Sequence, residues 1–369
     1  MWRKLVTLMR FDRPGAKPNL LRPRPAPSVT PLTEMPFEPN PGNLRMFQYM
    51  PPGLKPGAPL VVTLHGCGQT AGGYDLGAGW CQLADQLGFA VLAPEQKAVN
   101  NPHTCFDWFN PEDIIRDSGE AASIAAMVRS MVGTHKLDAR RVFITGLSAG
   151  GAMTSVMLAT YPEMFAGGAI IAGLPYGAAQ NVRDALENMR SAPLRMPAQW
   201  GDLVRAASHH DGPWPKISIW HGALDTTVNI NNAQAITAQW GDLHGLSLSG
   251  ASQQLVDGAI RLSWGDSLEL YTLAALGHGT PIDSRDLGQP GPFILEAGIS
   301  STRRIAQFWG LESAVLARPA RTKPVPAEPV ALPDIEAVLR PKQSDELAKT
   351  ARIEGVIKRA LKAAGLIRG

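Results

Sequence analysis

The chain has 369 residues, of which 44% are hydrophobic and 18% are charged, and its formal net charge is +3. This composition suits one large α/β core with extensions. No apolar run approaches the roughly 20 residues that a membrane-spanning helix requires, so we expect no transmembrane segment. Three cysteines in a chain of this length exclude a disulfide-dense scaffold.

The basic residues are concentrated at both ends of the chain. Residues 1–30 carry seven Lys or Arg and one Asp, and residues 318–369 carry eleven Lys or Arg and six Asp or Glu. The segment between them is therefore acidic. Residues 1–40 are rich in Pro and predict an extended basic arm. Their apolar run at residues 5–9 is too short for a normal signal peptide.

The first informative element is a buried strand followed by a glycine-containing loop. Residues 60–64, Leu-Val-Val-Thr-Leu, are apolar and β-branched and predict the strand. The loop at residues 65–70 reads His-Gly-Cys-Gly-Gln-Thr. Glycines leave such a loop free to direct a backbone N–H at a bound group. A helix with Cys81 inside it is predicted at residues 80–87.

Residues 146–150 read Gly-Leu-Ser-Ala-Gly, between a predicted strand at 141–145 and a predicted helix at 149–160. The bare G-x-S-x-G pattern is common by chance, but this context predicts the nucleophile elbow of an α/β-hydrolase. The fold class that follows is a mostly parallel central sheet with helices on both faces. Ser148 is then the nucleophile, and the N–H groups of Ala149 and Cys67 are the candidate oxyanion hole.

Residues 183–215 form an insertion before the next predicted strand, and we expect a small cap there. Its large apolar side chains suit either an acyl chain or packing in the core. They are Met189, Met196, Trp200 and Trp214.

The other two members of a catalytic triad follow in the chain order that this fold imposes, acid and then histidine. Asp225 follows the predicted strand at 216–220, and His278 follows the predicted last strand at 268–275. Each position corresponds to the carboxyl end of a strand. The weaker candidates lie in loops without a strand directly before them, or precede the acid. They are Asp202, Asp211, His209, His210 and His221.

The chain ends in a second extension. We assign residues 41–312 to the catalytic domain and residues 313–369 to a Pro-rich linker followed by a basic helix. This helix has three possible roles: docking on its own core, pairing with a partner, or contact with a lipid or polymer surface.

Several blocks of sequence, in order, resemble the polyhydroxybutyrate depolymerase family of esterases, which is related to feruloyl and acetylxylan esterases. The resemblance covers about residues 40–311. The blocks are Leu64–Cys67 with Gln69, Gly88-Phe89, Pro94–Gln96, Cys105 with Trp108-Phe109, Thr145–Met153, Ala172–Gly177, Trp220–Gly222 before Asp225, and Gly298–Thr302.

This resemblance implies an α/β-hydrolase that cleaves carboxylic esters without a metal or organic cofactor. It matches the triad to Ser148, Asp225 and His278, and an oxyanion donor to Cys67. It also implies a disulfide between Cys67 and Cys105, and Cys81 is then the odd thiol. The family is often secreted, so the resemblance implies an extracellular enzyme, with a cytoplasmic one as the alternative.

An ester or polyester is the expected binding partner, with no nucleic acid. Candidate walls of the substrate pocket are Trp108, Tyr176 and Trp220. Three alternatives to a polyester esterase remain open at this point. They are a feruloyl or acetylxylan esterase, a serine peptidase of the prolyl-oligopeptidase type, and a non-catalytic polymer-binding protein.

Overall fold

A computed structural model describes residues 29–312, which form one α/β unit around a ten-stranded sheet. The predicted basic arm up to residue 28, and the predicted linker and C-terminal helix from residue 313, lie outside the described residues. The last part of the predicted arm belongs to the sheet, because Thr33–Met35 pairs antiparallel with Arg45–Tyr49. Within residues 29–312, no helix combines the length and apolarity that a membrane crossing requires.

The strands are β1 (Thr33–Met35), β2 (Arg45–Tyr49), β3 (Leu60–Leu64), β4 (Ala90–Glu95), β5 (Val142–Leu147), β6 (Gly167–Ile171), β7 (Lys216–Gly222), β8 (Ser252–Val256), β9 (Ala259–Trp264), β10 (Leu268–Leu273), β11 (Thr280–Ile282) and β12 (Ile294–Glu296). The main sheet has the order β1-β2-β4-β3-β5-β6-β7-β10-β9-β8. Its six central strands, from β4 to β10 in that order, are parallel, and antiparallel strands flank them on both sides. A small parallel pair, β11 and β12, lies outside this sheet.

The helices are α1 (Ala71–Ala78), α2 (Trp80–Leu87), α3 (Gly119–His135), α4 (Ala149–Thr160), α5 (Val182–Arg190), α6 (Pro197–Ala207), α7 (Asn231–Leu243) and α8 (Ser301–Phe308), with 3₁₀ turns at Pro162–Met164 and Leu248–Gly250. The structure confirms the predicted fold class, since this is a mostly parallel sheet with helices on both faces. The predicted strand at 60–64 and the predicted helices at 80–87 and 149–160 have the observed bounds.

Alternation along the parallel strands divides the core into two layers. In β3, Leu60, Val62 and Leu64 belong to the core layer that includes side chains of α3, α4, α6 and α7, whereas Val61 belongs to the layer that includes side chains of α1, α2 and α8. Successive side chains of a strand point to opposite faces, so a strand that is apolar throughout must be covered on both sides. This burial holds the ends of the central strands rigidly, and the loops that carry the candidate site leave from those ends.

The insertion at 183–215 contributes mainly to the core. Trp200 on α6 is fully buried, and Met189 and Trp214 pack against the same core layer. Met196, in contrast, is largely exposed. The sequence allowed either contact with an acyl chain or packing in the core. Core packing therefore accounts for Met189, Trp200 and Trp214.

We predict that Gly150→Ala destabilises the fold. A Cβ at Gly150 would contact the carbonyl oxygen of Leu64 and lie 2.5 Å from that of His65. Backbone atoms cannot move aside as a flexible side chain can, so the loss in unfolding free energy should be about 1–3 kcal/mol. Urea unfolding measures this loss.

The matched control is Gly133→Ala. Gly133 lies exposed in α3, with nothing near the site of a new Cβ. Alanine is the better helix former, so this variant should gain about 0.5–1 kcal/mol. Equal unfolding midpoints for the two variants would contradict the proposed clash.

Candidate active site

Ser148 lies at a sharp turn between β5 and α4. Its φ of 57° and ψ of −116° fall in a region that non-glycine residues rarely adopt. The turn is held by hydrogen bonds from the Ser148 N–H to Ile171 O (2.9 Å) and from the Ala152 N–H to Ser148 O (2.8 Å). A strained residue held this firmly is typical of functional sites. The side chain remains partly exposed.

The structure brings the three predicted triad residues together. The Nδ1 of His278 lies 2.7 Å from Oδ2 of Asp225, and its Nε2 lies 2.9 Å from Oγ of Ser148. An ionised carboxylate only accepts hydrogen bonds, so Nδ1 carries the imidazole proton and Nε2 is free to accept from the serine hydroxyl. This is the geometry in which a histidine can act as the base for a serine nucleophile.

Asp225 is buried but well supplied with hydrogen-bond donors. Its Oδ1 accepts from the N–H groups of Thr227 (2.9 Å) and Val228 (2.8 Å), and its Oδ2 also lies 3.4 Å from Nε2 of His221. Burial alone would raise the pKa of this carboxyl, but the hydrogen bonds from His221 and His278 outweigh burial and hold the pKa well below its usual range. Asp225 is therefore the ionised partner in the site.

The lowered pKa of Asp225 also affects stability. A carboxyl whose pKa is lower in the folded state stabilises the fold at pH values above its unfolded pKa, here close to the ordinary value of 3.8. This contribution disappears as the pH falls through the lower, folded-state pKa.

The loop after β3 lies against the Ser148 turn. A Cβ at Gly66 would lie 3.4 Å from the carbonyl oxygen of Leu147. Within residues 29–312, neither the Cys67 N–H nor the Ala149 N–H donates to another group. Ala149 is the first residue of α4, where an N–H has no partner inside its own helix. Both N–H groups are thus available to a developing oxyanion.

A disulfide joins Cys67 to Cys105, with the Cα atoms 4.3 Å apart. The same loop is tied by hydrogen bonds from the Gly68 N–H to His103 O (2.7 Å) and from the Gly66 N–H to Oε1 of Gln69 (2.9 Å). Cys81 is a buried free thiol, and burial raises its pKa far above the ordinary value. The pairing implied by the resemblance is the one that the structure contains.

The prediction that Trp220 lines the pocket is wrong. Trp220 is 0% exposed, stacks on Tyr271 with ring centroids 3.8 Å apart, and donates from Nε1 to Oγ of Ser218. Its side chain belongs to the core layer under α1, α2 and α8. Trp108 is also buried, at 7% exposure, beside Phe109. Among the three predicted walls, Tyr176 keeps the most surface, and its hydroxyl donates to Ile114 O.

Two apolar residues beside the triad were missed by sequence reasoning. Phe293 is 46% exposed and packs edge-on against His278, with ring centroids 5.9 Å apart. Its φ of 59° is unfavourable for an aromatic residue. Leu224, directly before Asp225, is 62% exposed. Neither residue stands out in the sequence, because one lies in a Gly- and Pro-rich loop and the other in a turn.

Three carboxylates elsewhere, Asp107, Asp113 and Glu120, have oxygen atoms within 4.8 Å of one another. Their oxygens already accept protein hydrogen bonds, including those from Gln96 to Glu120 and from Asn101 to Asp107. Burial, followed by repulsion from the two aspartates, raises the pKa of Glu120 well above its usual value. The cluster is a hydrogen-bonded network that braces the loop around residue 105.

The competing candidates lie away from the triad or serve it indirectly. Asp202 forms an exposed ion pair with Arg205 on α6. His210 hydrogen-bonds to Pro213 O, and His221 to Val228 O. His221 thus supports the Asp225 loop and does not replace His278.

We expect Asp225→Asn to lower kcat by about 10⁴-fold, because an amide at this position favours the wrong imidazole tautomer. Hydrolysis of p-nitrophenyl butyrate measures the loss. Asp202→Asn is the matched control and should stay near wild type, since its partner is an exposed arginine. If Asp225→Asn kept most of the activity, the assignment of the acid would be overturned.

Known proteins that are similar to this chain include a depolymerase and several esterases. The family model described as Esterase PHB depolymerase matches residues 44–257. The chain is 43% identical over 316 residues to poly(3-hydroxyalkanoate) depolymerase C of Paucimonas lemoignei, an alignment that covers 83% of this chain and 76% of that protein. It is 34% identical over 267 residues to an acetylxylan esterase of Coprinopsis cinerea, with 70% of each chain covered.

Among solved structures, the acetyl xylan esterase from Aspergillus awamori aligns with a TM-score of 0.66 and 26% sequence identity. The alignment covers 76% of this chain and 99% of that chain.

Proposed function

Because this chain belongs to the Esterase PHB depolymerase family, we propose that it hydrolyses the ester bonds of poly- or oligo-3-hydroxybutyrate, with Ser148 as the nucleophile. The observation that carries the mechanism is the continuous hydrogen-bond chain from Ser148 through His278 to Asp225. Its two distances, 2.9 and 2.7 Å, are already in the range needed for proton transfer.

In the first half of the reaction, Nε2 of His278 takes the Ser148 proton while Oγ attacks the ester carbonyl carbon. The carbonyl oxygen becomes an oxyanion and accepts hydrogen bonds from the N–H groups of Cys67 and Ala149. The C–O bond to the alcohol then breaks, and the His278 imidazolium protonates the departing oxygen. Asp225 stabilises the imidazolium throughout. The product is an acyl group on Ser148.

In the second half, water attacks the acyl carbon and His278 takes the proton of that water. The bond to Oγ breaks, and Ser148 recovers its proton from His278. The acid is released, and the enzyme returns to its starting state without any external reactant except water.

The surface beside the triad supports a polyester substrate. Phe293, which packs against His278, and Leu224, which directly precedes Asp225, both present exposed apolar side chains. Apolar contacts of this kind suit a chain of short hydroxyacyl units better than a polysaccharide densely covered with hydroxyl groups. The 43% identity to a poly(3-hydroxyalkanoate) depolymerase supports the same choice.

An acetylxylan esterase is the second candidate. It is favoured by the 34% identity to the Coprinopsis cinerea enzyme and by the similarity to the Aspergillus awamori structure. Both candidates use the same chemistry, so substrate comparison must decide between them.

We further propose that the enzyme acts outside the cell. The support is the Cys67–Cys105 disulfide, because disulfides persist in oxidising environments and are rare in the cytosol.

The substrate test compares 3-hydroxybutyrate oligomers with acetylated xylan, methyl ferulate and a peptide whose amide bond is to be cleaved, with Ser148→Ala as the blank. We expect the highest kcat/KM on the oligomers and no turnover by the variant. A preference for acetylated xylan or ferulate would overturn the polyester proposal. Substantial turnover by folded Ser148→Ala would overturn the serine mechanism.

Phe293→Ala tests the apolar wall. We expect KM for hydroxybutyrate oligomers to rise about tenfold, which corresponds to the loss of about 1.4 kcal/mol of contact. The KM for p-nitrophenyl acetate should change less, because its acyl group is small. Leu255→Ala is the control, since Leu255 is 72% exposed on the edge strand β8. An equal response of both variants would contradict a role for Phe293.

A further inference from the structure

The buried histidine at the start of the oxyanion loop has both ring nitrogens engaged. His65 directly follows β3 and is 0% exposed. Its Nδ1 lies 2.8 Å from the carbonyl oxygen of Gly66, and its Nε2 lies 3.1 Å from the N–H of Gln96. None of the reaction steps described above uses this side chain.

The two contacts determine which nitrogen of His65 carries the proton. The Gln96 N–H can only donate, so Nε2 must be an unprotonated acceptor. The Gly66 carbonyl can only accept, so Nδ1 must carry the hydrogen. Burial also lowers the pKa of His65 and favours the neutral ring. The neutral Nδ1–H tautomer satisfies both neighbours.

The carbonyl that accepts from His65 belongs to the same peptide unit as the Cys67 N–H. In a planar trans peptide, the C=O and N–H bonds point in opposite directions. A hydrogen bond that holds Gly66 O on the His65 side therefore directs the Cys67 N–H to the other side. The Gln69 N–H, 3.2 Å from Gly66 O, reinforces the same orientation.

We infer that His65 is a positioning residue, which orients the Cys67 N–H toward the oxyanion through its hydrogen bond to Gly66 O. This inference rests on the proposed esterase mechanism, in which Cys67 supplies one oxyanion donor. An oxyanion donor is effective when it is aligned before the charge develops. A rotation of this one peptide would remove the donor and leave the triad intact.

The surroundings of His65 keep its ring in place. The ring packs against Phe106 with centroids 4.9 Å apart. The Gln96 side chain donates to Cys105 O (3.1 Å) and to Glu120. Gln96 therefore has two roles. Its backbone N–H holds the ring of His65, and its side chain holds the backbone of Cys105, which is disulfide-bonded to Cys67.

Two substitutions distinguish the roles of the two ring nitrogens of His65. In His65→Asn, the amide nitrogen occupies nearly the position of Nδ1 and can still donate to Gly66 O. In His65→Gln, the amide oxygen reaches the position of Nε2 and can still accept from the Gln96 N–H, but the donor to Gly66 O is lost. Both variants remove the ring and leave similar space beside Phe106. Each variant therefore serves as the control for the effect of the other on stability.

We expect His65→Gln to lower kcat for p-nitrophenyl butyrate by about 10²–10³-fold, the usual effect of losing one oxyanion donor. KM should change little. His65→Asn should retain at least tenfold more activity than His65→Gln at a similar melting temperature. Binding of a trifluoromethyl ketone, which forms a tetrahedral adduct with serine, should weaken in proportion to kcat. Equal kcat values for the two variants, or losses that follow the melting temperature alone, would overturn the inference.

A second measurement does not depend on activity. Nitrogen-15 NMR of the wild-type histidine side chains should show His65 with a protonated Nδ1 and an unprotonated Nε2 between pH 6 and pH 8. An Nε2–H tautomer, or protonation of both nitrogens in this range, would overturn the assignment.

If the wild type hydrolyses p-nitrophenyl esters but no hydroxybutyrate oligomer, the polyester proposal fails while the comparison of the two variants remains valid.

Discussion

The close backbone contact between the Ser148 turn and the end of β3 is the constraint on which the site depends. Gly150 approaches the carbonyl oxygens of Leu64 and His65 so closely that no side chain fits at residue 150. Strands β3 and β5 are parallel neighbours, so their loops leave the same edge of the sheet. This contact places Ser148, the proposed nucleophile, beside the loop that carries Cys67. In the proposed mechanism, the orientation of the peptide between Gly66 and Cys67 then determines whether an oxyanion is stabilised.

The second requirement is a buried negative charge with sufficient partners. An isolated carboxylate in the interior would be costly. Asp225 avoids this cost through two backbone N–H groups and two histidines. The protein is a carboxylic-ester hydrolase, and in the proposed mechanism this ionised group holds the imidazole of His278 in one tautomer. His65 shows the same principle with neutral groups, because its tautomer follows from the hydrogen-bond acceptor at Nδ1 and the donor at Nε2.

The aromatic residues show where sequence reasoning was insufficient. Trp220 stands next to the Asp225 loop in the sequence, yet strand alternation places it in the core layer with Ser218, whereas Ile217 and Ile219 face the other layer. Phe293 lies outside every sequence motif, yet it packs on His278 because the β11–β12 pair returns to the site. Proximity in sequence therefore predicted the wrong aromatic residue.

The sequence by itself determined the parallel core and the chain order of the three residues that meet at the candidate site. Two local patterns can be recognised without coordinates. They are the uninterrupted apolar runs of the buried strands and the G-x-S-x-G turn between a strand and a helix. The antiparallel strands β8 and β9, with their mixed exposed pattern, did not stand out in this way. Only the tertiary structure decided which side chains face the site and where each N–H points. Those properties depend on contacts between residues far apart in the chain, such as Gln69 with Pro292 and Gln96 with His65.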